Sequence, residues 1–232
     1  MLKVLDEVLL SDKVCKDFYE KYSDPEFRSW LMSILPEVDE CRKQEQDNPW
    51  HIYDCLEHIL HSVEEINKQT KNMPEPNRRK LAYTMFLHDI GKPEKHLRRY
   101  SKLYRREVDS FYNHNMASKD IADRVLEKDF GFDHADAEQI KMLIEKHDIF
   151  MFVTLQNDHN QYHKVLTPGY IAEQESDLAK VGDGQTLMSE LIMIGRADNL
   201  AQNPKMTKDS LHMLDVMEKM QTKMHSQTPP AQ

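Results

Sequence analysis

The sequence predicts an all-α fold, a compact helical bundle with helical extensions at both ends, and three observations carry that expectation. Glycine is scarce at 6 of 232 residues and proline modest at 10, so few tight turns are available. Leu, Met, Lys, Glu, Gln and Ala fill long runs, and these residues lose little side-chain freedom in a helix. Apolar positions recur at steps of three and four, the period of a helix with one buried face.

Residues 2 to 22 read as a first amphipathic helix with Leu2, Leu5, Leu9 and Phe18 on its apolar side. Ser23-Asp24-Pro25 stops it and starts a second, because proline fits a first helical turn. That helix runs to about Gln44, bent or broken near Pro36, and Asp47-Asn48-Pro49 is a further break. Ile52, Leu56, Ile59, Val63 and Ile66 then form a helical stripe. Residues 70 to 77 read as a loop, and 78 to 90 as a helix closed by Gly91 and Pro93. Residues 92 to 112 read as irregular or weakly helical and very basic. Further helices are expected near 115–129, 135–148, 186–201 and 207–224, and the last residues, SQTPPAQ, look frayed. The stretch 150–185 gives the weakest pattern and reads as a lid or insertion.

A chain of this length can bury a substantial core. Mean hydropathy is −0.74 and no long uncharged apolar run exists, which excludes a spanning helix. The opening MLKVLDEVLLSDKVC carries acids inside its apolar stretch, unlike a secretory signal. Cys15, Cys41 and Cys55 form no CxxC pair and leave one over, so reduced thiols in a cytoplasmic protein are expected. A net charge of −9 disfavours broad nucleic-acid binding, although a local basic patch can still meet a phosphate.

Twelve histidines are the unusual feature of the composition. His88 and Asp89 follow Leu81 and Met85 at helical steps, so both lean toward an apolar face. A histidine and a carboxylate turned inward need a partner, because a buried unpaired charge is costly. A divalent metal is the simplest one. His114 shares a face with Ile121 and Val125, His147 with Ile140 and Leu143, and Asp198 with Leu191 and Ile194. His58 lies at the margin of its stripe, with His51 on the same flank as a candidate substrate contact. His147-Asp148 is a second His-Asp pair, without the Ile90-Gly91-Lys92-Pro93 setting of the first. His61, His96, His134, His159, His163, His212 and His225 read as surface residues or local caps.

In order, His58, His88-Asp89 with IGKP, His114, His147 and Asp198 resemble the ligand pattern of HD-superfamily phosphohydrolases. The segment ILPEVDECRKQEQDNPWHIYDCLEHIL is similar to the HD region of bacterial tRNA CCA-adding nucleotidyltransferases, and the likeness runs from about Ile34 to Pro204. Nothing resembles the nucleotidyltransferase head, so a free-standing hydrolase domain is implied. The resemblance implies an N-terminal helical extension over residues 1–45 packed on an HD domain of 46–204. A C-terminal helix and tail then take 205–232. It further implies one or two divalent transition metal ions. Simpler members hold one with His58, His88, Asp89 and Asp198; a two-metal branch adds His114 and His147, with Asp89 bridging. Alarmone hydrolases of the superfamily carry HDxxED, whereas Asp89 here is followed by Ile-Gly-Lys-Pro.

The expected reaction is metal-assisted hydrolysis of a phosphate mono- or diester of a nucleotide, a cyclic nucleotide or an RNA end. Mixed His and Asp ligands suit Mn, Fe, Ni, Co or Zn better than Ca. Asp89 is the expected catalytic carboxylate. Residues 92–106 carry seven Lys or Arg against one Glu, immediately after the metal motif. Lys92 is therefore expected to face the phosphoryl group, Arg98 and Arg99 to bind or steer substrate, and Arg196 to lie near the same mouth. Tyr100 and Tyr104 read equally well as base-stacking or packing residues. The alternative is a non-catalytic HD-fold module that binds RNA or a nucleotide.

Overall fold

The computed structural model describes residues 1–226, and the expected fraying of the tail falls almost wholly outside them. As the sequence predicts, the described chain is a compact helical bundle, with eleven α-helices and only two small sheets. In order these are α1 (Leu2–Leu9), α2 (Val14–Tyr22), α3 (Pro25–Ile34), α4 (Glu37–Cys41), α5 (Cys55–Thr70) and α6 (Glu75–Leu87). A hairpin of β1 (Leu97–Ser101) and β2 (Arg106–Ser110) follows. Then come α7 (His114–Val125), α8 (His134–Lys146), the short strands β3 (Val153–Thr154) and β4 (Lys164–Val165), α9 (Pro168–Leu178), α10 (Gly184–Leu200) and α11 (Lys208–Ser226). No described helix is long and apolar enough to cross a membrane, and the three cysteines are unpaired.

Side-chain caps set several starts. Asp54, Asp133, Thr167 and Asp183 each accept a hydrogen bond from a backbone N–H of the first turn of α5, α8, α9 and α10. Asp24 does the same for α3, with Pro25 as its first residue. The central layer is α5 packed on α6 and α10. Helix α8 lies between α6 and α7, while α9 and α11 cover α10. One continuous apolar core runs from Leu5, Phe18 and Phe27 through Ile59, Tyr83 and Phe86 to Ile194 and Leu214.

Several expectations are corrected. Residues 2–22 form two helices, because the chain turns at Ser11, whose Oγ accepts from Lys13 N at 3.2 Å. Buried Asn67 Nδ2 donates to the free carbonyls of Leu9 and Ser11 at 2.8 and 3.0 Å, which holds the break. The second expected helix is broken at Leu35-Pro36, where the sequence places a bend or break, and its second piece, α4, ends at Cys41 rather than near Gln44. Ile52 is not part of the α5 stripe; it stands before the helix and is exposed. Residues 97–110 are an antiparallel hairpin rather than irregular or weak helix, with Arg98 opposite Asp109 and Tyr100 opposite Glu107. Within 150–185, α9 is a regular helix docked on α10 and α11 through buried Ile171 and Leu178.

Gly91 fixes how the turn after α6 meets α7. A Cβ there would stand 2.5 Å from Ser118 N and 2.7 Å from Ala117 Cβ. Its own N–H donates to Ser118 Oγ at 2.9 Å. That close approach brings Asp89 up to His114.

Candidate metal centre

Ends of five helices converge on one buried spot. His58 lies in the first turn of α5, and His88 and Asp89 follow the last residue of α6. His114 opens α7 behind Asn113, which takes a left-handed φ of 62°. His147 and Asp148 follow α8, and Asp198 lies in the last turn of α10. Carbonyls in the last turn of a helix lack intrahelical donors, and the rings use them. His88 Nδ1 lies 2.6 Å from Met85 O and His147 Nδ1 2.7 Å from Ile144 O. His58 Nδ1 is 3.3 Å from Ala201 O, at the end of α10. His114 Nδ1 lies 2.8 Å from Phe111 O, just before α7. A carbonyl only accepts, so each Nδ1 carries a proton, and a ring in its neutral form then turns an unprotonated Nε2 toward the cluster.

Asp89 divides these rings between its two oxygens. Oδ2 lies 3.1 Å from His58 Nε2 and 3.3 Å from His88 Nε2. Asp198 Oδ1 stands 3.0 Å from His58 Nε2 and 3.8 Å from His88 Nε2. Oδ1 of Asp89 faces the other way, 2.9 Å from His114 Nε2 and 3.7 Å from His147 Nε2. His58, His88, Asp89 and Asp198 thus make one group able to hold a metal ion, and Asp89, His114 and His147 make a second.

The donor chemistry fits a cation. His58 Nε2 and His88 Nε2 are enclosed and have no hydrogen-bond partner among the described residues. Their neighbours are carboxylate oxygens, and lone pair facing lone pair is repulsive without positive charge between. The acid–base balance carries the same demand. Burial opposes charge on His88, yet Asp89 and Asp198 lift its pKa to about 10. Burial likewise opposes charge on Asp89, but His88 and Lys92 hold it well below the usual carboxylate range. Asp198 is held low against burial by the two rings that face it, His58 and His88. A proton answers the demand in a metal-free cluster; a divalent ion answers it with all four rings neutral. The C-terminal ends of α6, α8 and α10 add negative potential at the same place.

Lys92 stands against Asp89. The residue is buried; its Nζ lies 2.5 Å from Asp89 Oδ2, donates to Gln46 Oε1 at 2.9 Å, and stands 3.3 Å from His51 Nε2. Those three neighbours occupy its three N–H bonds. His51 Nδ1 in turn lies 2.8 Å from Asn48 Oδ1. Burial and the charge of Lys92 push the His51 pKa well down, which keeps its Nε2 an acceptor. The sequence reading gives Lys92 a catalytic and substrate role and His51 a substrate contact; the structure places both in a line from loop 46–53 to Asp89.

Arg196 does not join the cluster. Two residues apart on α10, it and Asp198 point to different sides of the helix, and Arg196 pairs with Asp215 and Glu218 of α11. Arg98 is taken up by Asp47 and Asp109, each at 3.1 Å. Arg99, on the opposite face of β1, lies with its guanidinium 5.9 Å from the centre of the exposed Tyr112 ring. Tyr100 is exposed as well. Among the other histidines, His61, His96, His134, His163 and His225 each meet a nearby carboxylate away from the cluster.

One neighbour of the cluster went unassigned in the sequence. Asp148 Oδ2 lies 3.3 Å from His114 Nε2, and its Oδ1 is 3.4 Å from His147 Nε2. Its signal was adjacency to His147, the second His-Asp pair in the chain.

A scan against protein-family models and a search of curated proteins each give no match to this chain.

Proposed function

We propose that the protein is a metal-dependent phosphohydrolase that cleaves phosphate mono- or diesters of nucleotides, cyclic nucleotides or RNA ends. One observation carries the reading: four imidazole Nε2 atoms and the carboxylates of Asp89 and Asp198 face one another in a buried cluster, a mixed donor set around two candidate cation positions. The order of these residues along the chain, similar to that of HD-superfamily hydrolases, supports the phosphate chemistry. Bound divalent ions of the Mn, Fe, Ni, Co or Zn type would lower the pKa of a water and neutralise phosphoryl charge.

The chain's own residues prepare that chemistry. Asp89 presents one oxygen to each half of the cluster, so its orientation sets both halves together. Lys92 holds that orientation through its contact with Oδ2. Backbone carbonyls fix the four rings, so little reorganisation is needed when a substrate arrives. Arg99, Lys102 and Arg105 make no ion pair among the described residues and remain free to draw an anion toward the cluster. Those same exposed cations favour the second reading, a module that binds RNA or a nucleotide without turning it over.

Turnover separates the two. The metal-free protein, given defined concentrations of Mn²⁺, Co²⁺ or Zn²⁺, should hydrolyse bis-p-nitrophenyl phosphate or p-nitrophenyl phosphate, and Asp89→Ala should lose that activity. Binding of nucleotides with no turnover under any of these ions would select the binding module.

A further inference from the structure

We propose that Asp148 is a metal ligand, completing an outer site made of Asp89 Oδ1, His114 Nε2, His147 Nε2 and the Asp148 carboxylate. This rests on reading the cluster as a metal centre. The first ground is geometry: each Asp148 oxygen stands 3.3–3.4 Å from an imidazole Nε2, and both rings have given their Nδ1 proton to a carbonyl. Among the described residues the Asp148 side chain has no hydrogen bond and no Lys or Arg within salt-bridge distance, so nothing else accounts for where it points.

The second ground is the composition of the two halves. The inner group has two imidazoles and two carboxylates, namely His58, His88, Asp89 and Asp198. Without Asp148 the outer group has two imidazoles and only the shared Asp89. With it, both halves have the same donor set and Asp89 joins them. Charge supports the same count, because three carboxylates offset two divalent ions better than two do, and uncompensated charge in a buried site is costly.

Exposure then distinguishes the halves. Beyond the shared Asp89, the inner side chains of His58, His88 and Asp198 are 1%, 0% and 13% exposed, against 11%, 1% and 23% for His114, His147 and Asp148 of the outer group. The outer ion therefore sits on the solvent side, exchanges first, and faces an arriving phosphate.

Mn²⁺ titration of metal-free full-length protein, followed by loss of the free-ion EPR signal, tests this. Wild type should bind two ions per chain and show the multiline spectrum of a coupled pair. Asp148→Ala should keep the inner ion with unchanged affinity, weaken the outer one at least tenfold, and lose the coupled spectrum, as His114→Ala should. Asp148→Asn, nearly isosteric, should show the same loss, and unchanged melting of both metal-free Asp148 variants establishes that they fold. Two ions bound with wild-type affinities in the Asp148 variants overturn the proposal and leave the metal centre standing. A wild type that binds no ion overturns both.

Discussion

At the scale of single residues, the arrangement turns on Asp89, and Lys92 is the group that holds it. Lys92→Met keeps much of the side-chain volume and removes the ammonium from a buried carboxylate. It should weaken metal binding by about 10–100-fold, the usual effect of losing a partner behind a ligand. Metal titration beside steady-state kinetics measures this. Normal metal content combined with a collapsed kcat would instead mean that Lys92 touches the reacting phosphate. The inward positions of His114, His147 and Asp198 were legible because helical steps from apolar residues give a side chain a direction. Lys92 and Asp148 were not: Lys92 lies well past the last residue of α6, where periodicity ends, and Asp148 was passed over beside His147. Arg196 was misread for a simpler reason: closeness along a helix was taken for a shared face.

Among elements, the hairpin of β1 and β2 is the least legible and the most open to test. Its strands are mostly charged and exposed, so the alternation that marks a half-buried strand is absent. Cross-strand ion pairs and an anchor set it instead. Buried Asp109 accepts from Asp47 N at 2.7 Å, and its Oδ1 meets Arg98 and His96. Loop 46–53, which holds Lys92 through Gln46 and His51, is thereby tied to the hairpin. Asp109→Ala should raise hydrogen exchange of residues 46–51 and 97–110 together while leaving α5 and α10 protected. Exchange rising in the hairpin alone would show that the two segments are independent. The seven cations that the sequence offered as one patch are not equivalent, since Arg98 and Arg106 are spent on Asp47. Neutralising Arg99, Lys102 and Arg105 should raise KM for a nucleotide substrate, and added salt should shrink the difference. The same changes at Arg98 and Arg106 should act through stability. Helix α9 had its Thr167 cap and Pro168 start in plain view. Only two of its residues are buried, a step of seven that is too sparse to register as a stripe.

For the whole molecule, the bundle was legible because nearly every long helix repeats its apolar residues at helical spacing, and those residues form the single core. What spacing cannot reveal is how the layers are pinned. Lys80 on α6 stands 2.8 Å from Glu190 on α10, both buried, and neither Glu190 oxygen has an aligned hydrogen-bond donor. Burial pushes the Glu190 pKa up, against the pull of Lys80, so the pair is poorly compensated. Lys80→Met alone should destabilise by about 3–5 kcal/mol, whereas Lys80→Met with Glu190→Leu should come out near neutral or stabilising. Urea denaturation of the three proteins decides between this and a pair that holds the fold together. The core and the helix ends serve one outcome, the placing of four imidazoles and two carboxylates around a shared point. The most direct test is a crystal of metal-replete protein measured at the absorption edge of the added metal. Anomalous density should appear beside Asp89 Oδ2, within ligand distance of His58, His88 and Asp198. An empty cluster in that crystal, its histidines protonated and bonded to the two aspartates, would contradict the metal centre.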